Sequence, residues 1–478
     1  MPPRRDPFLW TASIAVAALG TWFLYDAEPG INWGVWTAAA AAGLFLFLRH
    51  DRKQPLILVT AAAVIIAFGA TVTADPLMNA LIVLGVIFFL ALEMLLSNDP
   101  RIDRITAAFV IPAPVVAFAT AISESLKRAT YALNIVRSHR ARAMVRGVII
   151  TIPVIVVFAL LLSTADPVFA SWREAIRELL ANWEFLPRTI FFIGLLGIVL
   201  GAFGFAARDE LPPQPVSAVD DTASRWMGST ERLILLGSVA VLFWTFLAVQ
   251  LSYLFGNLPQ VQGSGMTFAE YARKGFGELT VVASASVILI LLSERFGKRE
   301  NRESIIRMVT LAIIVAVFFL LGSAFNRVLL YEDAYGFTTA RLYAQSYMLV
   351  VALALIALGL ELRNQLSPSR LFRRIFAAAT AVFIVLVYWN HSAWIANQNI
   401  DRFASTGKLD TGYLTRELSL DAVPTLVDRL PTIPDPVQTE LRTAIQSRYA
   451  KRARLFETQW YEWNSRRADA KQALLRLR

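Results

Sequence analysis

Residues Phe325–Tyr343 read FNRVLLYEDAYGFTTARLY and stand between two apolar runs, about Met308–Ala324 and Ala344–Leu360. Each run approaches the ~20 residues that a helix needs to cross about 30 Å of hydrocarbon. A polar island between two such runs is what an extramembrane hairpin looks like. Gly336 marks a turn, and Thr338 or Thr339 can cap the helix that follows. The island holds Asn326, Arg327, Tyr331, Glu332, Asp333, Tyr335 and Arg341, the densest polar group near any membrane boundary and the first candidate for a functional centre.

The same alternation of apolar run and short polar break recurs along the chain. Of its 478 residues, 56% are hydrophobic and only 17% charged, too little charge to keep a soluble protein of this length dispersed. The fold class is therefore all-α, a polytopic transmembrane helical bundle. A membrane β-barrel would instead show ~10-residue segments of alternating polarity. The net charge of +10 does not point to nucleic acid, because the basic residues of the short loops alternate from loop to loop, as membrane topology requires. The absence of cysteine excludes disulfides, zinc thiolate sites, iron–sulfur clusters and thiol nucleophiles. His50, His139 and His391 are too scattered to suggest a metal cluster, and no cofactor is expected.

Arg4 and Arg5 place the N-terminus in the cytoplasm. The first apolar run lacks a small-x-small cleavage site and reads as a retained span. Spans at about Phe8–Tyr25, Ile31–Leu48, Pro55–Thr73 and Pro76–Leu96 make an N-terminal four-span bundle over 1–96. A basic segment, 97–146, follows. Within it Ile105–Ile122 is apolar, but Arg101 and Arg104 precede it, a basic run follows it, and Pro112 and Pro114 interrupt a regular helix. This predicts a re-entrant or interfacial segment, with an ordinary kinked span as the alternative. A seven-span membrane domain occupies 147–390, starting at about Gly147–Ser163 and containing an amphipathic stretch at Ser171–Leu186 and a polar linker at Arg208–Thr230. Its second span carries Gly197-x-x-x-Gly201 flanked by Gly194 and Gly204, a stripe that lets another helix approach closely. The total of about eleven spans puts a small helical C-terminal extramembrane domain, 391–478, outside; an even count would put it inside. In that domain Val437–Leu477 reads as a long helical pattern containing Trp460, Tyr461 and Trp463.

No Walker loop, dinucleotide fingerprint or Ser/His/Asp order is present. The cluster Arg327, Glu332, Asp333 and Arg341 suits a polar headgroup, an ion or acid–base chemistry; its plainer reading is a turn of mutually paired ions. Glu270, Tyr271 and Arg273, after a capping box at Thr267-x-x-Glu270, form a second group on the same side. Glu93 is an intramembrane carboxyl near the end of the fourth span, where it is either functional or reaches the interface. Lys127, Arg128, Arg137, Arg140, Arg142 and Arg146 can hold anionic lipid or simply set topology.

Four stretches together resemble a known family: YARKGFGEL (Tyr271–Leu279), RVLLYEDAYGFTTARLY (Arg327–Tyr343), NQNIDRF with LDTGYLTRELSLDAVPTL (Asn397–Leu426), and WYEWNSRRADA (Trp460–Ala470). They are similar to the bacterial membrane proteins of domain-of-unknown-function family 4173, related to the 4153 group, over roughly residues 140–478. The resemblance implies a bacterial cytoplasmic-membrane protein and brings neither a reaction nor catalytic residues. Three readings stay open: a non-enzymatic envelope scaffold, sensor or accessory factor with a lipid or protein partner; a transporter of a small solute or lipid; and a membrane enzyme acting on a lipid or cell-wall precursor.

Overall fold

A computed structural model describes residues 7–48, 53–98, 105–132, 151, 155, 185–208, 226–255, 268–298, 303–362, 367–449 and 459–477. Among these residues there is no β-strand, only helices and one bridge between Met227 and Gly297. In chain order the membrane region comprises α1 (Pro7–Leu24), α2 (Ile31–Phe47), α3 (Lys53–Phe68), α4 (Pro76–Leu96), α5 (Ala107–Val110), α6 (Ala113–Ala132), α7 (Phe185–Ala206), α8 (Ser229–Phe255), α9 (Phe268–Phe296), α10 (Glu303–Tyr335), α11 (Thr339–Leu362) and α12 (Pro368–Tyr388). The C-terminal domain adds α13 (His391–Thr406), α14 (Thr411–Arg416), α15 (Val423–Arg429), α16 (Val437–Tyr449) and α17 (Ser465–Arg476).

Local chemistry sets many of these boundaries. Asp75 caps α4 by accepting the Met78 N–H at 3.0 Å, with Pro76 in the first turn, where its missing N–H costs nothing. Ser367 and Pro368 start α12 in the same way. Asn390 starts α13, and Gly407 ends it in the left-handed region at φ 64°.

Among the described residues eight helices are long and apolar enough to cross a membrane, and α2 with the apolar part of α3 forms a shorter pair. They fall on the expected apolar runs other than Gly147–Ser163, which apart from residues 151 and 155 lies outside the described residues, as do most of the amphipathic stretch and the linker. Ile105–Ile122 is broken at Ile111 and Pro112 into α5 and α6, and α6 is not among the eight. It lies instead against α7. The α7 glycines work as a packing stripe: a Cβ on Gly201 would collide with the Ala121 carbonyl, and one on Gly204 with Arg128, while Gly194 faces open space.

Buried side chains fall into distinct clusters. One gathers α1, α2, α4, α6 and α7 around Leu9, Leu44, Leu92, Ala117 and Phe203. Another gathers α8–α11 around Leu236, Ile290, Val317 and Leu355. Helix α12 runs between them, with Phe376 ring centroids 5.9 and 5.8 Å from Phe88 and Phe89 of α4. The C-terminal domain has its own core, which takes in Leu342 from the first turn of α11.

Two expectations change. Phe325–Tyr335 is helix, not loop: α10 is 33 residues, about 50 Å at 1.5 Å per residue, longer than the hydrocarbon is thick. The hairpin shrinks to Gly336–Thr338, where Gly336 takes φ 86°. In the C-terminal domain, α16 and α17 are separate helices. Asn464 caps the second by accepting the Arg467 N–H at 2.9 Å, and Trp460–Glu462 forms a 3₁₀ turn before it.

At the end of the membrane region away from the C-terminal domain, ion pairs join the helices. Glu124 of α6 pairs with Arg208 and with Lys127, and Glu361 with Arg370 and Arg374 at 2.7 and 2.6 Å. Arg232, 1% exposed, pairs with Glu294 and with Glu303, joining α8 to the α9–α10 connection. The order of damage here follows burial. Replacing Arg232 by Met leaves two partly exposed carboxylates within reach of water, whereas the double change Glu294→Gln, Glu303→Gln leaves a buried guanidinium without a countercharge. The double variant is expected to lose about 3–5 kcal/mol and the Arg232→Met variant less, as read by thermal unfolding in detergent.

Candidate functional site

The polar hairpin is clasped by the C-terminal domain. Asn399 of α13 accepts the Phe337 N–H at 2.9 Å and donates to the Phe337 carbonyl at 2.8 Å. Arg402 donates to the Asp333 and Ala334 carbonyls at 2.7 and 2.5 Å, satisfying the open C-terminus of α10. Tyr413 of α14 accepts the Thr339 N–H at 2.8 Å. Glu332 is buried and accepts from Gln345 Nε2 at 2.8 Å; its other oxygen has no partner. Arg341 lies 4.0 Å from the Tyr331 ring and donates to the Gly336 carbonyl, so a cation–π contact and a backbone bond hold it, and its charge also acts on Glu332. Tyr331 stacks near Tyr335 at 5.0 Å, and Asp333 and Tyr335 face outward. Arg327 is half-buried on α10, two turns before Asp333. The hairpin is thus held from outside, by Asn399, Arg402 and Tyr413, as well as by its own side chains.

Glu270, Tyr271 and Arg273 belong to α9 by their backbone; their side chains lie outside the described residues. Of the basic run, Lys127 pairs with Glu124, and Arg128 donates to the Gly204 carbonyl at 2.8 Å. Both thus make contacts within the protein. Arg137, Arg140, Arg142 and Arg146 lie outside the described residues.

Beside the hairpin, the structure assembles a polar cluster that sequence reasoning missed. His391, 2% exposed, has Nε2 3.3 Å from the Tyr343 hydroxyl and 3.8 Å from Asp75 Oδ2. Asp421 accepts the Ala74 N–H at 2.8 Å and the Thr73 hydroxyl at 3.0 Å. Asn390 donates to the Asp421 carbonyl at 3.2 Å. Next to it, Asn464 donates to the Ala70 and Thr73 carbonyls at 2.6 and 2.8 Å, Ser465 to Thr71 at 3.1 Å, and Arg466 to Val72 at 3.3 Å. The α3–α4 turn therefore has its backbone groups answered by side chains more than three hundred residues away. The α1–α2 turn is held likewise: Ile31 donates to the Trp463 carbonyl at 3.0 Å, Glu462 accepts the Glu28 N–H at 3.0 Å, and Arg467 donates to the Pro29 carbonyl. The one local signal was the cap pattern at Asp75-Pro76, Asn390-His391 and Asn464-Ser465; the distances between these positions in sequence hid their meeting.

Two carboxyls of this cluster are pushed in opposite directions. Burial raises the Asp421 carboxyl above its ordinary range, outweighing the Ala74 N–H and the Thr73 hydroxyl, and the nearby Asp75 adds to the rise. Burial also acts to raise Asp75, but the His391 contact and the Met78 N–H outweigh it and hold the carboxyl below its ordinary range.

The chain belongs to the family described as domain of unknown function (DUF4153), whose model matches residues 13–429. Of the two neighbouring groups suggested by the motifs, the match falls on 4153 and not on 4173. It also reaches back through α1–α4, ahead of the point near residue 140 where the motif resemblance began. No curated protein matches the chain, and no solved structure does.

The clamp should respond to pH with a definite sign. A carboxyl raised by folding stabilises the docked state while protonated, and that contribution disappears as pH rises through its folded pKa. A lowered carboxyl does the reverse, losing its contribution as pH falls. Rising pH above the ordinary carboxylate range should therefore loosen the C-terminal domain through Asp421, and Asp421→Asn should flatten this dependence. Proteolytic release of the domain across a pH series measures it. Asn464→Ala removes a cap, about 1 kcal/mol, and takes its amide donor from the buried Ala70 carbonyl, about 1–3 kcal/mol more, while the Thr73 carbonyl keeps Asn79 Nδ2 at 3.4 Å. It should release the domain faster at every pH.

Proposed function

We propose that this chain is a non-enzymatic membrane scaffold or accessory factor of the cell envelope. Its membrane bundle carries the C-terminal helical domain as a fixed platform on the outer face, where the platform engages a lipid or protein partner. One observation carries this reading: three interhelical turns, at residues 28–31, 70–75 and 333–339, are all bonded to the one C-terminal domain, mostly through buried or half-buried polar contacts, with the exposed Arg402 contacts added at the last. A domain tied to both parts of the membrane region cannot swing on a tether, and polar groups buried at the junction are costly to expose singly. The aromatic edge of the platform supports a place at the membrane surface. Trp460 is 72% and Trp463 52% exposed, while Trp460 packs edge-on and Tyr461 tilted against Phe23 at the end of α1. The outer orientation rests on the alternation of basic residues along the chain.

The absence of native cysteine permits a clean test. Ser465 Oγ lies 3.1 Å from the Thr71 carbonyl, so cysteines at these two positions, Thr71→Cys with Ser465→Cys, are within reach of a short, reducible bis-methanethiosulfonate cross-linker that locks the platform to the bundle. In cells lacking the native chain, the locked protein is expected to restore the envelope phenotype as well as the unmodified chain, and a chain ending before His391 to restore none of it. Full rescue by the truncated chain would remove the platform reading. Loss of rescue on locking, recovered on reduction, would favour a transport cycle in which the domain moves.

A further inference from the structure

Glu93 lies one turn from the end of α4, and its side chain leans back toward the helix N-terminus, deeper into the span. It is 0% exposed. One carboxyl oxygen accepts the Thr60 hydroxyl of α3 at 2.8 Å; the other has no partner. Its surroundings are apolar. Leu92, Met94 and Leu96 are buried in one cluster with Leu44 and Leu56, and Phe89 and Val86, one and two turns back, in another with Ile66 and Ala67. Among the described side chains no lysine, arginine or histidine pairs with it, and no other titratable group acts on it from α2, α3, α7 or α12. It does not reach the interface to find water.

An unpaired carboxylate cannot be kept in such a place without a compensating charge, because the loss of hydration far exceeds what one hydroxyl returns. Two candidates could supply the charge: a bound metal cation or a proton. The donor set decides between them. One hydroxyl and one carboxyl fall well short of the several oxygens that a hard cation needs. A proton needs only the free oxygen. We propose that Glu93 is a proton-binding site within the α3–α4 interface, with the Thr60 hydroxyl orienting the carboxyl so that its unpartnered oxygen carries the proton. The site lies at the opposite end of α4 from the platform contacts, and it stands whether or not the scaffold reading does.

The experiment uses the full chain in detergent micelles and in liposomes, with dicyclohexylcarbodiimide as the probe. This apolar reagent adds to a protonated carboxyl. The acidic hydrogen goes to one nitrogen, the oxygen bonds to the central carbon, and an oxygen-to-nitrogen acyl shift leaves a stable N-acylurea with nothing expelled. Peptide mass spectrometry is expected to find the adduct on Glu93, to lose it as pH is raised, and to find it unchanged by added sodium or potassium. Infrared spectroscopy should show a protonated-carboxyl band that disappears in Glu93→Gln, an isosteric change that keeps an acceptor for Thr60 and whose folding is checked by unchanged helical content. A folded protein with neither adduct nor an infrared band removed by Glu93→Gln overturns the assignment. So does protection by sodium or potassium, which would make the occupant a metal cation, and so does labelling that ignores pH.

Discussion

Every pair of apolar helices joined by a short turn leaves backbone groups without partners, and where water is scarce each of them needs one. In this chain the turns at one end of the membrane region find their partners in the C-terminal domain. Asn464 answers Ala70 and Thr73, Asp421 answers Ala74, Trp463 answers Ile31, and Asn399 with Arg402 answers the end of α10 and its turn. The domain thus caps several helices collectively, where each helix would otherwise need a cap of its own. Its position, the length of α10 and the tightness of the Gly336 turn all follow from that requirement.

The two ends of the membrane region meet the same need with different chemistry. Away from the platform, ion pairs do the joining: Arg232 with Glu294 and Glu303, Glu361 with Arg370 and Arg374, and Glu124 with Arg208. The basic residues that set topology gather at that end, so carboxylates placed among them find partners without help from another domain. At the platform end the partners are mostly backbone groups, reached by the side chains of Asn399, Asn464 and Ser465 and by the guanidinium groups of Arg402, Arg466 and Arg467. Glu93 stands apart from both arrangements, buried with a single hydroxyl for company.

Much of the membrane architecture was legible because it depends on local quantities. Apolar length marked the spans, and within the glycine stripe Gly201 and Gly204 marked a close helix approach; the caps Asp75-Pro76 and Ser367-Pro368, which set two of the helix starts, are local signals of the same kind. The candidate site was legible only in part. Gly336 was recognised as a turn, but the stretch before it was read as loop because its charges suggested water. In the structure Glu332 turns inward to Gln345 and Arg341 rests on Tyr331, so those side chains serve helix packing. His391 was set aside as isolated, since nothing near it in sequence announces Asp75 or Tyr343.

The amino-acid sequence alone determined that this is an all-helical, multi-pass membrane protein with a helical C-terminal domain, because hydrophobic length and capping act over a few neighbouring residues. Only the tertiary structure decided what that domain is joined to. The contacts of Asp421 with Thr73, Asn464 with Ala70 and Glu462 with Glu28 link residues hundreds of positions apart. A buried donor or acceptor has to be satisfied, but nothing local states which distant group satisfies it; that is settled when the helices pack and bring their ends together.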